Sequence, residues 1–267
     1  MCSISCIITS YNNAEYLSKA IMSAVKQTRM PDEIIVADDC STDGSRELIT
    51  ALSNKYPVIR PIFHDRNIGV GANRDLAIRS ASCELITFLD GDDWFFPEKI
   101  EAEMRSLAGQ AAVAYSDVVL MRDHETEINR WDMKAFPGVD NKKRPSWISS
   151  RKQPIPTHMM MPKAVYEEAG GIHHGVNLYE DWDFKIRLSC LPYKWVYSGV
   201  AGMAYRQTGL GLSSVSAKRR LVAQLKTLRV NKGPLVRVLG WVGYMNTYVS
   251  LAVRAYQRRA EDRGRYD

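Results

Sequence analysis

Short apolar runs alternate with segments of helical periodicity along the first 120 residues. The apolar runs cover residues 4–9, 33–37, 58–64 and 85–89, and the segments that follow them cover residues 15–27, 45–55, 71–80 and 98–108. Short apolar strands, each followed by an amphipathic helix, are typical of a parallel sheet that is covered by helices on both faces. The pattern therefore predicts an α/β fold with a doubly wound, mostly parallel sheet.

The second half of the chain is less regular. Residues 121–156 are polar, charged and interrupted by prolines, which predicts a long loop with little regular structure. Helices are expected near residues 163–169 and 181–189, a strand at 195–198 and turns at 207–214. We therefore expect this half to be mixed α+β.

The C-terminal segment has a helical pattern from Ala217 onward, with a break at Gly233 and Pro234. Apolar side chains recur there at steps of three and four residues, which predicts one apolar face. They are Leu235, Val238, Leu239, Val242, Met245, Val249 and Ala252. We therefore treat residues 215–267 as a separate amphipathic helical tail.

The composition is that of an ordinary globular protein, with 45% hydrophobic and 25% charged residues. The net charge of +6 is unevenly distributed, because residues 215–267 hold 12 Lys and Arg against 3 Asp and Glu, whereas residues 1–214 hold 24 against 27. Such a basic tail is typical of a surface that meets anionic material, either lipid headgroups or nucleic acid. Because the sequence lacks aromatic-basic interleaving and known motifs, we expect no nucleic-acid partner.

The cysteines and the apolar segments bear on location. Five scattered cysteines without a C-x-x-C pair predict neither a disulfide framework nor a zinc site, and they favour a reducing compartment. The sequence shows no secretory leader, and no segment reaches the roughly 20 apolar residues of a membrane-spanning helix. We therefore expect a cytoplasmic protein.

Polar side chains follow each of the four predicted strands, at residues 9–12, 38–44, 64–67 and 90–93. In an open parallel sheet, ligands bind beyond the carboxyl ends of the strands, at the point where the winding direction reverses. We therefore expect these four clusters to share one edge of the sheet and to form the functional site.

Three carboxylates, Asp90, Asp92 and Asp93, lie within four residues at the end of the fourth strand. Their mutual repulsion is costly unless a cation or hydrogen-bond donors compensate it. Oxygen ligands in small number suit Mg²⁺ or Mn²⁺, which take further ligands from the phosphates of a substrate. The alternative is a solvated acidic turn.

Two further side chains are candidates for nucleotide binding. Asp39 follows the second strand, where a carboxylate can accept hydrogen bonds from the edge of a base such as uracil. The alternative there is a purely structural segment in which Ser41 or Thr42 caps the next helix. Arg74 lies where a glycine-containing loop enters a helix, a position from which it could reach a diphosphate.

Taken together, the four clusters closely resemble glycosyltransferase family 2, whose members have the GT-A fold. The motifs occur in the family's order over about residues 3–108 and read I-I-T-S-Y-N-N-A-E-Y-L, I-I-V-A-D-D-C-S-T-D-G-S, N-I-G-V-G-A-N-R and L-I-T-F-L-D-G-D-D-W. The resemblance implies a nucleotide-sugar-binding half over residues 1–120, an acceptor-binding half over residues 121–214 and the tail at 215–267.

The resemblance also implies residue roles on the donor side. Thr9, Tyr11 and Asp39 would hold the nucleobase, and Arg74 would lie near the donor phosphates. Asp90 and Asp92 would form the family's D-x-D motif, which binds donor and metal, and Asp93 would assist in holding the Mn²⁺ or Mg²⁺.

The segment 179–184 resembles the family's E-D signature, which opens a helix on the acceptor side. By this resemblance Asp181 is the catalytic base, with Glu180 as the alternative. Asp181 would take the proton of an acceptor hydroxyl, which attacks the anomeric carbon opposite the departing nucleoside diphosphate, so that the configuration inverts. A structural alternative is that both carboxylates only favour the helix N-terminus.

One departure from the family concerns histidine. Many relatives carry Y-R-x-H-x-x-S-x-S after the base, whereas this chain has Thr208 in place of that His. We assign no ligand role to His158, His173 or His174, because a lone His is more often a surface or packing residue.

The resemblance as a whole implies an inverting, metal-dependent glycosyltransferase that uses a UDP-sugar and a saccharide or polyprenyl-diphosphate-linked acceptor. The family's habit is surface polysaccharide synthesis, such as O-antigen or capsule. The departure at Thr208 motivates an alternative, a nucleotide-sugar-binding protein without catalysis.

The tail has two interpretations. It packs on the catalytic domain with its charges solvated, or it forms an interfacial helix at the inner face of the cytoplasmic membrane. In the second case three aromatic side chains lie near headgroup level and three cationic side chains face anionic lipid. These are Trp241, Tyr244 and Tyr248, and Arg254, Arg258 and Arg259.

Overall fold

A computed structural model of the 267-residue chain describes residues 2–122, 126–136, 143–150, 154–174, 178–207 and 216–263. Nine strands and nine helices are assigned within these ranges. The strands are β1 (Ile4–Ser10), β2 (Glu33–Asp38), β3 (Ile59–Phe63), β4 (Leu85–Asp90), β5 (Trp94–Phe95), β6 (Ala112–Met121), β7 (Glu127–Trp131), β8 (Met161–Pro162) and β9 (Lys194–Arg206). The helices are α1 (Ala14–Val25), α2 (Ser45–Lys55), α3 (Val70–Arg79), α4 (Lys99–Leu107), α5 (Arg144–Ser150), α6 (Lys163–Glu168), α7 (Glu180–Ser189), α8 (Ala217–Val230) and α9 (Lys232–Arg263).

The first sheet has the strand order β3-β2-β1-β4-β8, in which β1 to β4 are parallel and β8 pairs with β4 in the antiparallel sense. The chain winds from β1 through β2 to β3 in one direction and then returns to place β4 on the other side of β1. The predicted doubly wound sheet is therefore confirmed. Its reversal point lies between β1 and β4, where Thr9 is paired with Asp90.

The second sheet was not foreseen from the sequence. It has the order β5-β9-β6-β7, and its centre is the parallel pair of β6 and β9. β9 covers 13 residues, far more than the predicted strand at 195–198. The prediction of an irregular loop at residues 121–156 is also wrong in part, because this stretch contains β7 and α5.

The tail packs against the rest of the protein. Leu228, Leu235, Tyr244 and Leu251 are buried in the same apolar core as Trp182 of α7. The buried Asn231, which separates α8 from α9, donates a hydrogen bond to Asp183 Oδ1 at 2.6 Å. The break between the two helices thus lies close to the predicted position, and the packing interpretation of the tail holds for these four apolar residues.

The apolar face of α9 differs from the prediction because the helix is interrupted at Gly240, whose φ of 70° and ψ of 169° are accessible to glycine without steric cost. Before this residue Leu235 faces the core as expected. After it Tyr244 is buried, whereas Val242 and Val249 are 72% and 52% exposed. The interruption changes the phase of the helix, so that part of the predicted stripe faces away from the core.

No helix in the described part of the chain is both long enough and apolar enough to cross a membrane.

Candidate active site

The carboxyl edge of the parallel sheet brings together the side chains that were predicted to meet there. Thr9, the penultimate residue of β1, donates a hydrogen bond from Oγ1 to Asp90 Oδ1 at 3.1 Å. Arg74 of α3 donates from Nη2 to the same carboxylate oxygen. Arg74 Nη1 also lies 3.9 Å from Glu180 Oε1 at the start of α7. One buried guanidinium therefore connects the acidic motif after β4 with the acidic helix terminus on the other side of the site.

Asp39 has a clear structural role at this edge. It is 2% exposed, and its two carboxylate oxygens accept backbone hydrogen bonds from Ile68 at 2.7 Å and from Gly69 at 2.9 Å. These bonds fix the loop that leads into α3, where Gly69 has a φ of 88°. Tyr11, by contrast, is 53% exposed at the end of β1. The binding of a base by Tyr11 and Asp39 stays a prediction.

The three carboxylates of the acidic motif have different environments. The Arg74 guanidinium beside Asp90 holds the pKa of that carboxyl well below its usual range, although burial acts in the opposite direction. Burial and then the charge of Asp90 raise the pKa of Asp92 to about 6. Burial, Asp92 and Asp90 raise the pKa of Asp93 well above its usual value. Asp90 is thus the member of the three that ionises most readily, whereas burial and mutual repulsion disfavour the charged forms of Asp92 and Asp93.

His158 also lies at this site, although no sequence motif singled it out. Its Nε2 lies 3.3 Å from Asp90 Oδ2 and 4.0 Å from Asp93 Oδ2, and its side chain is only 4% exposed. Among the described residues, Asp90, Asp93 and His158 form a group whose ligand atoms all lie within 4.8 Å of one another. Asp92, which the resemblance assigned to the metal, is not in this group. Burial lowers the pKa of His158, which favours the neutral imidazole.

The pairing of β8 with β4 brings His158 to this position. β8 runs antiparallel to β4, so the residues just before Met161 extend towards the carboxyl end of β4. Thr87 Oγ1 of β4 donates to the carbonyl oxygen of His158 at 3.4 Å. The only local signal in the sequence was a histidine directly before an apolar run, which is not specific.

The other histidines considered are not at the acidic motif. His173 and His174 pair with Asp183 and Asp75 at 3.0 Å each, and their side chains are 42% and 51% exposed. Thr208 lies outside the described residues. Arg206, which precedes it, donates from its backbone N to Asp93 Oδ1 at 2.8 Å and from Nε to the carbonyl oxygen of Asp92 at 3.0 Å.

Glu180 and Asp181 open α7 on the opposite side of Arg74. Glu180 is 7% exposed, and burial together with the charge of Asp181 raises its pKa to about 7. The side chain of Asp181 is 41% exposed, and its Oδ2 accepts a hydrogen bond from Lys185 Nζ at 2.8 Å. The residue before them, Tyr179, has a φ of 83°, an uncommon backbone conformation for a non-glycine residue. The helix thus presents one buried and one accessible carboxylate.

The chain is similar in sequence to known glycosyltransferases. Residues 5–170 match the family model described as Glycosyl transferase family 2. The cholesterol galactosyltransferase of Borreliella burgdorferi is 39% identical over 117 residues, which are 43% of this chain and 31% of that protein. The putative teichuronic acid biosynthesis glycosyltransferase TuaG of Bacillus subtilis is 27% identical over 129 residues, which are 48% of this chain and 51% of that protein. The match thus spans only about a third to a half of these relatives.

Among solved structures, S. aureus TarS is similar with a TM-score of 0.71 and 17% identity, over 93% of this chain and 72% of that chain. TarS has also been crystallised with UDP and with UDP-GlcNAc. At this level of identity the likeness establishes the fold, which is the predicted GT-A type. Since the family model covers more than half of the chain, and the residues that it matches carry the acidic motif and the sheet edge described above, the protein belongs to glycosyl transferase family 2.

Proposed function

We propose that the protein is an inverting, metal-dependent glycosyltransferase that moves a sugar from a nucleotide diphosphate, a UDP-sugar, to a hydroxyl of a saccharide or a polyprenyl-diphosphate-linked acceptor. The observation that carries the proposal is the arrangement around Arg74, which joins Asp90 at the end of β4 to Glu180 at the start of α7. The acidic motif and the candidate base thereby line one site. The crystal structures of S. aureus TarS in complex with UDP and with UDP-GlcNAc support the choice of donor.

On the donor side we assign residues 1–120 to nucleotide-sugar binding. Thr9, Tyr11 and Asp39 hold the nucleobase, with Asp39 acting in part through the loop that it fixes. Arg74 faces the diphosphate. Because the guanidinium is 5% exposed, its charge is weakly screened and stabilises the negative charge that develops on the leaving group.

The residues of the acidic motif fit a divalent cation, either Mn²⁺ or Mg²⁺. Asp93 is 1% exposed, and its Oδ2 accepts no hydrogen bond from any residue that the structure describes. A buried carboxylate oxygen in this state is costly unless a cation compensates it. We expect Asp90, Asp92 and Asp93 to hold this ion, which when bound supplies charge stabilisation to the departing diphosphate.

On the acceptor side, over residues 121–214, Asp181 is the proposed base and Glu180 the alternative. Asp181 takes the proton of the acceptor hydroxyl, the hydroxyl oxygen forms a bond to the anomeric carbon, and the bond from that carbon to the phosphate oxygen breaks on the opposite face. Lys185 orients the base by its hydrogen bond to Oδ2. Because the Asp181 side chain is 41% exposed, an acceptor can reach it.

The biological setting that we propose is surface polysaccharide synthesis, such as O-antigen or capsule, at the inner face of the cytoplasmic membrane. The name of TuaG, a teichuronic acid biosynthesis enzyme, supports this setting.

The exposed face of α9 supports contact with a membrane. Its apolar side chains are 37% to 72% exposed and are Trp241, Val242, Met245, Val249 and Val253. Exposed basic side chains lie on the preceding helix α8 and at the start of α9, namely Lys218, Arg219, Arg220, Lys226, Arg229, Lys232 and Arg237. Lys232 Nζ lies 4.6 Å from the centre of the Trp241 ring. An apolar face with basic flanks is complementary to an anionic lipid surface.

This surface differs from the one predicted from the sequence. Tyr244 is 5% exposed and packs in the core, so it does not lie at headgroup level. The side chains of Arg254, Arg258 and Arg259 lie outside the described part of the tail.

The proposed activity is tested by a screen of nucleotide sugars with and without Mn²⁺, in which released nucleotide is measured. We expect release from one donor to require Mn²⁺ and an acceptor. Asp181→Asn should abolish transfer while UDP binding is kept, and the matched variant Asp132→Asn, at an exposed position, should behave like the unchanged protein. UDP-sugar binding without turnover under all conditions would favour the non-catalytic binding protein instead.

A further inference from the structure

Three ligand atoms converge at the end of β4, and the hydrogen bonds around them explain why. Asp90 uses Oδ1 for Thr9 and Arg74, which leaves Oδ2 directed towards His158. Asp93 uses Oδ1 for the backbone N of Arg206, and its buried Oδ2 has no hydrogen-bond partner among the described residues. In each carboxylate the protein engages one oxygen and leaves the other on the side of His158 Nε2.

We propose that His158 is a direct ligand of the divalent cation, together with Asp90 Oδ2 and Asp93 Oδ2. This inference rests on the metal dependence in the proposed function and deepens it, because it assigns the nitrogen ligand that neither the D-x-D motif nor Thr208 supplies. Asp92 lies outside this group of three and keeps the role at the ion that the proposed function gives it.

The separations agree with one shared ion. A cation about 2.1 Å from each ligand in octahedral geometry places neighbouring ligands about 3.0 Å apart and opposite ligands about 4.2 Å apart. His158 Nε2 lies 3.3 Å from Asp90 Oδ2 and 4.0 Å from Asp93 Oδ2, which is within this range. An octahedral ion held by these three atoms has three further positions, which are open to Asp92, to water and to the phosphates of a donor.

The surroundings of the ring favour a ligand over a simple ion-pair partner of Asp90. Arg74 and Thr9 already compensate the charge of Asp90, whereas Asp93 Oδ2 has only the distant His158 ring. His158 Nδ1 lies 3.2 Å from Thr157 Oγ1, a contact that can fix the ring and its tautomer with Nε2 as the ligating atom. This hydroxyl takes the place of the carboxylate, carbonyl or water that usually orients a metal-binding histidine.

A nitrogen ligand has a consequence for metal choice. Carboxylates and water suit Mg²⁺ and Mn²⁺ alike, whereas imidazole nitrogen suits first-row transition metals such as iron and zinc, the series to which Mn²⁺ belongs and Mg²⁺ does not. We therefore expect the protein to bind Mn²⁺ more tightly than Mg²⁺, and the difference to shrink when His158 is replaced by a side chain with an oxygen ligand.

The experiment measures Mn²⁺ alone, without nucleotide, on the full chain prepared without a histidine tag. Electron paramagnetic resonance gives the amount of bound Mn²⁺, and electron spin echo envelope modulation detects a directly coordinated ¹⁴N nucleus. We expect this coupling in the unchanged protein and its loss in His158→Gln. The affinity of His158→Gln for Mn²⁺ should fall at least about tenfold, because the loss of a residue that only orients a metal ligand already lowers metal affinity by about that factor or more. His174→Gln, whose ring pairs with Asp75, is the matched control and should keep both.

A measurement without substitution guards against misfolding of the His158 variant. When the unchanged protein is labelled with ¹⁵N-histidine, the spectrum of the bound Mn²⁺ should show ¹⁵N coupling in place of the ¹⁴N modulation. Bound Mn²⁺ without nitrogen coupling, or coupling that persists in folded His158→Gln, would overturn the assignment of His158 and leave the metal dependence standing. If the unchanged protein binds no Mn²⁺ with or without UDP, the metal dependence itself fails.

Discussion

Replacement of Arg74 by Met tests whether this one guanidinium holds the site together. The Arg74 side chain is 5% exposed and faces Asp90 and Glu180, whose side chains are 35% and 9% exposed. Removing one partner of a buried ion pair costs about 3–5 kcal/mol because the remaining charge is left uncompensated. Since Asp90 is partly solvated, we expect a loss near the lower end, about 3 kcal/mol in the free energy of unfolding.

The assay is urea unfolding at pH 7 without divalent metal, followed by tryptophan fluorescence. With a slope of about 3 kcal/mol/M for a chain of this size, the midpoint should fall by about 1 M. Arg105→Met is the control, because Arg105 and Glu101 are 74% and 49% exposed in their pair on α4 and such surface pairs contribute about 0–1 kcal/mol. Equal losses in the two variants, or a loss below about 1 kcal/mol for Arg74→Met, would refute the central role of this ion pair.

Three further predictions concern α9 and α7. Leu235→Ala, at a fully buried position, should lower the free energy of unfolding in urea by about 2–5 kcal/mol. Val242→Ala, at a position that is 72% exposed, should lower it by less than about 0.5 kcal/mol, and similar losses in the two variants would contradict the packing of the tail. Burial raises the pKa of Glu180 to about 7, so between about pH 4.5 and 7 the folded state binds a proton that the unfolded state has released, and the free energy of unfolding falls as the pH rises. Glu180→Gln should therefore become progressively more stable than the unchanged protein over this pH range, and parallel pH profiles of the two proteins would exclude this account. Trp241→Ser combined with Val249→Ser should weaken co-sedimentation with phosphatidylglycerol vesicles but not with phosphatidylcholine vesicles, and unchanged sedimentation would argue against membrane contact through this face.

Much of the donor half was predictable because its signals are local. The apolar runs that became β1 to β4 are short and regularly followed by amphipathic helices, and a polar cluster comes directly after each of them. The rule that parallel strands share a carboxyl edge then brings Thr9, Asp39 and Asp90 to one side of the sheet. The structure confirms this edge.

The second sheet and the direction of α9 were not predictable in this way. Ser116 and Asp117 interrupt the apolar pattern of β6, and its parallel pairing with β9 joins segments about 80 residues apart in the chain. An isolated glycine such as Gly240 is compatible with a continuous helix, and only the backbone angles in the folded chain show that α9 is interrupted there. Nonlocal contacts, which leave no periodic signal, decide both features.

The sequence by itself determined the family, the sheet edge and the acidic motif, because apolar periodicity and motif spacing are properties of neighbouring residues. Only the tertiary structure decided which atoms meet there. It brings His158 from the segment before β8 to Asp90, engages Asp39 with the loop before α3, and joins the motif to Glu180 through Arg74. These contacts depend on strand pairing and burial between distant segments, and the free energy that selects them comes from the folded core as a whole.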